Sequence, residues 1–196
     1  LTYMKPFRKT ITVYGASSSK IDKSFADAAY RLGRLMALSD RTVLTGGGNT
    51  GLMASVEDGV LDNGGTVIGV IPKFMVENGW MHGGLSKVIE TDDMHERKQK
   101  LADMADAIVT LPGGTGTMEE LLEVITWKTL GLCSKPLIIL NTDGYYDKLL
   151  DFFDNAVKLN FMKEEYKSVW RVVSTPEEAM EIIDEEDRTC PVGKYN

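Results

Sequence analysis

The chain has 196 residues, 43% of them hydrophobic and 8% aromatic, with a formal charge of -7. That length suits one domain with a full core, or one domain with tails. The acidic balance leaves no basic stripe for a nucleic-acid polymer, whose phosphates are held mainly by clustered Lys and Arg. No apolar run approaches the roughly 20 residues of a membrane-spanning helix, so no membrane partner is expected. Cys133 and Cys190 lack CxxC spacing and read as free thiols in a reducing compartment. The opening LTYMKPFRKT has no apolar signal-peptide core, and the expected location is the cytoplasm.

Taken in order, Ile11 to Tyr14 begins the first strand, and Gly15 to Ser19 is a polar turn. Phe25, Ala28, Ala29, Leu32, Leu35 and Met36 then share one helical face. Thr42 to Thr45 is a second strand, followed by the turn Gly46-Gly47-Gly48-Asn49-Thr50-Gly51. Leu52, Val56, Val60 and Leu61 line the next helix, which Asn63-Gly64-Gly65 stops. Thr66 to Ile71 is a third strand. Lys73 to Leu85 shows no clean period and is expected to be a long functional loop. Lys87 to Glu90 is a short strand, and Asp92 or Asp93 caps a helix from Met94 to about Met104.

Ala107 to Leu111 is a buried strand stopped by Pro112-Gly113-Gly114, and a helix follows from Thr117 to Leu132. Pro136 to Leu140 is the next strand. A turn at Asn141 to Gly144 leads into an amphipathic helix carrying Tyr146, Leu149, Leu150, Phe153 and Val157. Val169 to Val173 is the last strand. Thr175-Pro176-Glu177-Glu178 is a helix start with its cap, first-turn proline and returning glutamate. Residues 1–184 form a single domain, and the charged, then Pro- and Gly-containing stretch 185–196 is expected to fray.

Strands alternate with helices, which predicts a doubly wound α/β domain with a mainly parallel sheet and helices on both faces. Ligands of such sheets sit at the carboxyl ends of the strands. Three turns of interest follow strands: Gly15 to Ser19, Gly46 to Gly51 and Pro112 to Thr117. The last runs into a helix, where free backbone N–H groups and the positive dipole end suit an anion. Gly46, Gly48 and Gly51 fit GxGxxG in letters, but the next strand ends in Val70-Ile71-Pro72-Lys73 without a ribose-gripping acid. Glycines also simply permit tight turns. Two such turns on one edge favour a bound phosphate.

The titratable residues read two ways. Arg97 and Lys98, early in a helix, fit a solvated face paired with Glu96 or Asp93, or a fork onto a phosphate or carboxylate. Glu119 and Glu120 fit acids that stabilise a first helical turn by about 0.3–1 kcal/mol, or a carboxylate placed for chemistry. Glu119 and Glu123 share a helix face, whereas Glu120 points toward Val124 and Trp127.

Several motifs occur together in order: GGG-x-x-GLM from Gly46 to Met53, Asp93-Met94-His95-Glu96-Arg97-Lys98, PGGxGTxxE from Pro112 to Glu120, Ile125-Thr126-Trp127, and Asn141-Thr142-Asp143-Gly144-Tyr145-Tyr146. This set, from about Ile11 to Phe161, resembles the Lonely Guy family, the cytokinin riboside 5′-monophosphate phosphoribohydrolases, whose members are often labelled lysine decarboxylases. The resemblance implies a Rossmann-like homodimer that hydrolyses the N-glycosidic bond of a nucleoside 5′-monophosphate (AMP or a prenylated relative), without cofactor or metal. It makes Arg97 and Glu120 the catalytic pair. Lys98 and Gly113, Gly114, Thr115, Gly116, Thr117 and Glu119 would hold phosphate and ribose, with Thr126 as an accessory. Ser17, Gly47, Gly48 and Glu77 complete the expected substrate-binding set.

The lysine decarboxylase label implies pyridoxal phosphate, and no lysine stands out as a Schiff-base former. The chain departs from the family's usual pattern in Tyr14-Gly15-Ala16-Ser17, where Cys-Gly-Ser is usual, and in Thr45, where an aromatic residue often precedes the glycine turn. The alternative function is a non-catalytic nucleotide-binding or cofactor-carrier protein on the same fold.

Overall fold

The computed structural model describes residues 9–189. Seven strands are defined: β1 (Thr10–Tyr14), β2 (Thr42–Thr45), β3 (Thr66–Pro72), β4 (Lys87–Thr91), β5 (Ala107–Thr110), β6 (Leu137–Leu140) and β7 (Arg171–Val173). All pair in parallel, in the order β4-β3-β2-β1-β5-β6-β7. The chain builds outward from β1 to β4, then crosses back to lay β5 beside β1. The crevice between the carboxyl ends of β1 and β5 is therefore the topological switch point.

The strands are short apolar runs buried on both faces, as a helix-covered parallel sheet requires. Their residues alternate between two cores. Ile11, Val13, Val43, Val109 and Ile138 face α1 (Lys23–Leu38), α2 (Gly51–Leu61) and α7 (Pro176–Thr189). Leu44, Ile108, Leu137 and Ile139 face α4 (Met94–Asp103), α5 (Thr115–Thr129) and α6 (Asp147–Lys158). On the first face α1 and α2 approach backbone to backbone. A Cβ on Gly33 would strike the Val56 carbonyl oxygen, and one on Gly59 the Tyr30 carbonyl oxygen.

Two helix boundaries change the reading of the site. Helix α5 starts at Thr115, not Thr117, with Gly114 at its cap, so its first turn holds no acid. Glu119 and Glu120 lie beyond the reach of the dipole, which falls off within that turn. The segment from Lys73 is not one loop: Lys73–Glu77 forms the short helix α3 behind Pro72, and only the rest is irregular. Asp93 rather than Asp92 caps α4, accepting from the His95 and Glu96 N–H groups at 2.8 and 2.9 Å. Asp92 instead pairs with Lys73 at 2.6 Å. Helix α7 continues through Thr189, so Glu185 to Thr189 are helical. The remainder of the expected tail, Cys190 and the first eight residues lie outside the described residues.

Candidate functional site

A cavity of about 300 Å³ opens at the switch point. Its wall comes from three strand ends: Gly15 to Ser18 after β1, Gly48 and Met53 after β2, and Gly114 to Thr117 after β5. Met75 of α3, Arg97 of α4 and Glu120 of α5 complete it. All three turns expected on one edge thus meet there.

The backbone that carries these groups is braced from below. The Tyr145 hydroxyl donates to the Gly113 carbonyl at 2.6 Å, and the Tyr146 hydroxyl to the Leu111 carbonyl at 2.7 Å. Asn141 Oδ1 accepts from the Tyr146 N–H at 2.6 Å. The Asn141 to Tyr146 motif therefore holds the turn after β5 rather than reaching the cavity. A smaller apolar cavity of about 170 Å³, lined by Ile21, Phe25, Pro112 and Tyr145, adjoins the first.

Arg97 is 6% exposed. Its Nε donates to the Val70 carbonyl at 3.2 Å and one terminal nitrogen to the Gly46 carbonyl at 3.4 Å. The third nitrogen contacts Met94 Sδ at 3.8 Å. With carbonyl and thioether partners and no ion pair among the described residues, the guanidinium can serve an anion in the cavity. Glu120 is 8% exposed. Burial raises its carboxyl from 4.5 to about 7, against the opposing pull of Arg97. A carboxylate poised near neutrality beside a buried arginine is a common arrangement for acid–base or charge-stabilising chemistry.

Glu119 and Glu123 turn the other way, onto the Lys98 ammonium at 2.7 and 3.5 Å. The division of the acids expected from helical spacing is the one found. Lys98, itself buried, has its pKa raised by the hydrogen bond to Glu119.

Of the expected binding residues, Ser17, Gly48, Gly114, Thr115, Gly116 and Thr117 line the cavity with Arg97 and Glu120. The others sit elsewhere in the single chain. Gly47 is buried with both backbone groups occupied: its N–H donates to Thr45 Oγ1 and its carbonyl accepts from the His82 N–H. Gly113 lines the smaller cavity. Lys98 and Glu119 face each other on the outer side of α4 and α5. Glu77 is exposed at the end of α3. Thr126 is exposed and bonds the Leu122 carbonyl, about 9 Å along α5 from Glu120 at 1.5 Å per residue. Trp80, half exposed and edge-on to Phe74, does not reach the wall. Gly15, Ala16, Ser18, Met53 and Met75 are wall residues outside the expected binding set. The position of the Gly15 to Ser19 turn after a strand was the signal for the first three; Met75 carried none.

A cleft suited to anions at the switch point of an all-parallel sheet, with arginine and glutamate on its wall, defines a Rossmann-like α/β protein with a titratable site. Comparison with known proteins narrows this. Residues 53–183 match the protein-family profile described as "Possible lysine decarboxylase". The cytokinin riboside 5′-monophosphate phosphoribohydrolase LOG4 of Arabidopsis thaliana is 41% identical over 175 residues, covering 89% of this chain and 81% of that one. Its relative LOG3, from the same plant, is 40% identical over 185 residues, covering 94% and 84%. The chain belongs to this phosphoribohydrolase family. Among solved structures, the molybdenum cofactor binding protein of Rippkaea orientalis superposes with a TM-score of 0.72 at 24% identity, over 92% of this chain and 98% of that one. At that identity the likeness speaks for the fold alone.

Proposed function

We propose that the protein hydrolyses the N-glycosidic bond of a nucleoside 5′-monophosphate, AMP or a cytokinin riboside monophosphate, to free base and ribose 5-phosphate. The observation that carries this is the presence of Arg97 and Glu120, both buried, on one cavity wall with the amide-rich start of α5. Relatives 40% and 41% identical are named for this reaction. The decarboxylase description of the family profile has no counterpart in the site, whose wall contains no lysine.

Cleavage of a glycosidic bond develops positive charge on the ribose. The Glu120 carboxylate stabilises that charge and orients or deprotonates the attacking water. Gly114 to Thr117 hold the 5′-phosphate at the start of α5. Binding energy spent there aligns a bond some distance away. Arg97 fixes the phosphate or assists the departing base. Lys98, tied to Glu119 and Glu123, braces α4 against α5 and keeps their two functional side chains in register. None of these steps calls for a cofactor.

The test is release of free base from AMP and from isopentenyladenosine monophosphate by the purified protein. No release from either overturns the reading and favours a nucleotide carrier. Glu120→Gln is expected to lose at least 100-fold in kcat while still binding AMP, as general acid–base groups contribute about 10²–10⁴-fold. Retained turnover removes Glu120 from the mechanism.

The same reading includes a homodimer. Leu122, Leu130 and Leu132, on and just after α5, are 41%, 67% and 73% exposed, more apolar surface than an unpartnered helix end requires. Trp127, in contrast, packs partly into the core and lines a groove with His95, Gln99 and Leu132. A monomer mass by light scattering at micromolar concentration contradicts the dimer. A reducing, cytoplasmic setting, with Cys133 as a free thiol, is part of the same reading. No helix among the described residues is long and apolar enough to cross a membrane.

A further inference from the structure

Among the described residues two carboxylic acids are buried, Glu120 on the cavity wall and Glu57, fully enclosed, on α2. Glu57 occupies a core-facing position between Val56 and Val60, where an apolar side chain would pack at no electrostatic cost. Among the described residues its Oε2 has no hydrogen-bond partner. A buried polar atom left unpaired forfeits its hydration without a bond in return, so this residue breaks a packing rule without a packing gain.

What Glu57 does touch leads to the cavity. The Thr45 hydroxyl and Glu57 Oε1 are 2.5 Å apart. The same hydroxyl accepts the Gly47 N–H at 3.0 Å. Its single proton is therefore free to go to Glu57. The Gly46 carbonyl, one residue before that amide, accepts from Arg97. Gly48, one residue after, is cavity wall. On the other side the Gly47 carbonyl accepts the His82 N–H at 2.8 Å. Hydroxyl and carboxyl thus stand together as a polar pair under the glycines.

We propose that Glu57 is a positioning residue: its carboxyl group fixes the Thr45 hydroxyl, which holds the Gly47 amide and so presents the Gly46 carbonyl to Arg97. The proposal rests on the hydrolase reading of the site.

The charged and titratable groups facing Glu57 are few. Asp58 lies on its own helix and His82 on the segment after α3, with Nδ1 4.0 Å from Glu57 Oε2. That imidazole is already engaged. Its Nδ1 accepts the Gly84 N–H at 3.0 Å, so its Nε2 carries the proton and meets Asp58 Oδ1 at 3.0 Å. Burial raises the Glu57 carboxyl from 4.5 to about 8, with Asp58 adding to the shift and the Thr45 hydrogen bond opposing it. The group is neutral at pH 7. On ionisation, Oε2 becomes a buried negative acceptor with no donor in reach, and the turn must open to supply one.

The experiment measures base release from AMP across pH 6 to 9.5 for the unmutated protein, Glu57→Gln, Glu57→Ala and Thr45→Val, with folding checked by circular dichroism. Glu57→Gln keeps the acceptor for Thr45 and cannot ionise. It is expected to keep kcat at pH 7 and to lose the decline that the unmutated protein shows above about pH 8. Glu57→Ala and Thr45→Val are expected to lower kcat tenfold or more, with KM for AMP changed less than threefold. If Glu57→Ala fails to fold, Thr45→Val and the Glu57→Gln pH profile decide the matter. An alkaline limb unchanged in Glu57→Gln overturns the proposal, as does full turnover by folded Thr45→Val. No release by the unmutated protein overturns the hydrolase reading, and this proposal with it.

Discussion

At Gly46 a single hydrogen stands where any side chain would meet the Arg97 guanidinium and crowd the Met53 methyl. Gly46→Ala must push Arg97 off the Gly46 and Val70 carbonyls that aim it. The expected outcome is a loss of turnover of tenfold or more, measured as base release, with Tm shifted by only a few degrees because the displaced atoms end a flexible side chain. The pH profile is decided at this scale too. Glu120 must be ionised to stabilise the ribosyl cation, and its carboxyl sits at about 7, so kcat is expected to rise with pH through neutrality. A flat profile between pH 6 and 8 counts against that role. The motif letters already isolated Arg97 and Glu120. What sequence could not supply was the environment of Arg97, because its partners are backbone carbonyls of Gly46 and Val70, and every residue carries one of those. Nor could it separate Gly47 from Gly48: adjacent in the same turn, one is turned inward to Thr45 and His82, the other outward to the cavity.

Helices α4 and α5 deliver the pair, and the start of each is fixed differently. Helix α4 begins on Asp93, whose carboxylate takes two backbone N–H groups, while Glu96 Oε2 reaches back to the Asp92 N–H at 2.8 Å. Removing that cap by Asp93→Ala costs about 1 kcal/mol. The first turn carrying Met94 would fray beneath Arg97, so kcat is expected to fall along with stability, whereas Asp93→Asn or Asp93→Ser restores most of both. Urea unfolding alongside the base-release assay checks the two together. Helix α5 starts with no side-chain cap, since its cap residue is Gly114. Its first N–H groups remain available to a ligand, which is what an anion site needs. Sequence placed this start two residues late because Thr115 and Gly116 read as a continuation of the glycine turn, whereas both are already helical. Helix α3 was missed for a related reason: five residues are too few to show a period.

For the molecule as a whole, two buried acids impose a pH dependence on stability. Glu57 and Glu120 have folded-state values above the 4.5 of an exposed glutamate, about 8 and about 7. Below pH 4.5 both are protonated in either state and folding bears no penalty from them. Above it the unfolded chain releases protons the folded chain retains, so stability declines as pH rises toward 8. Thermal unfolding is expected to show a lower Tm at pH 8.5 than at pH 5.5, and Glu57→Gln to remove part of that difference. An equal Tm at the two values contradicts the burial of these carboxyls. The fold itself was legible at this scale, because alternation of apolar strands and amphipathic helices leaves little choice but a doubly wound parallel sheet. The order of its strands was not, since nothing in the spacing says which strand makes the return to β1.

That return has a consequence for biosynthesis. The first four strands emerge from the ribosome before β5, and in the finished sheet β1 is flanked on one side by β2 and on the other by β5. Until residues 107–110 are made, β1, the run Thr10–Tyr14 with four of its five positions destined for burial, has an open hydrogen-bonding edge. An unpaired apolar edge of this kind invites pairing with another nascent chain. β5 is thus the strand that covers this edge of β1, and the turn that follows it carries Gly114 to Thr117 to the cavity wall.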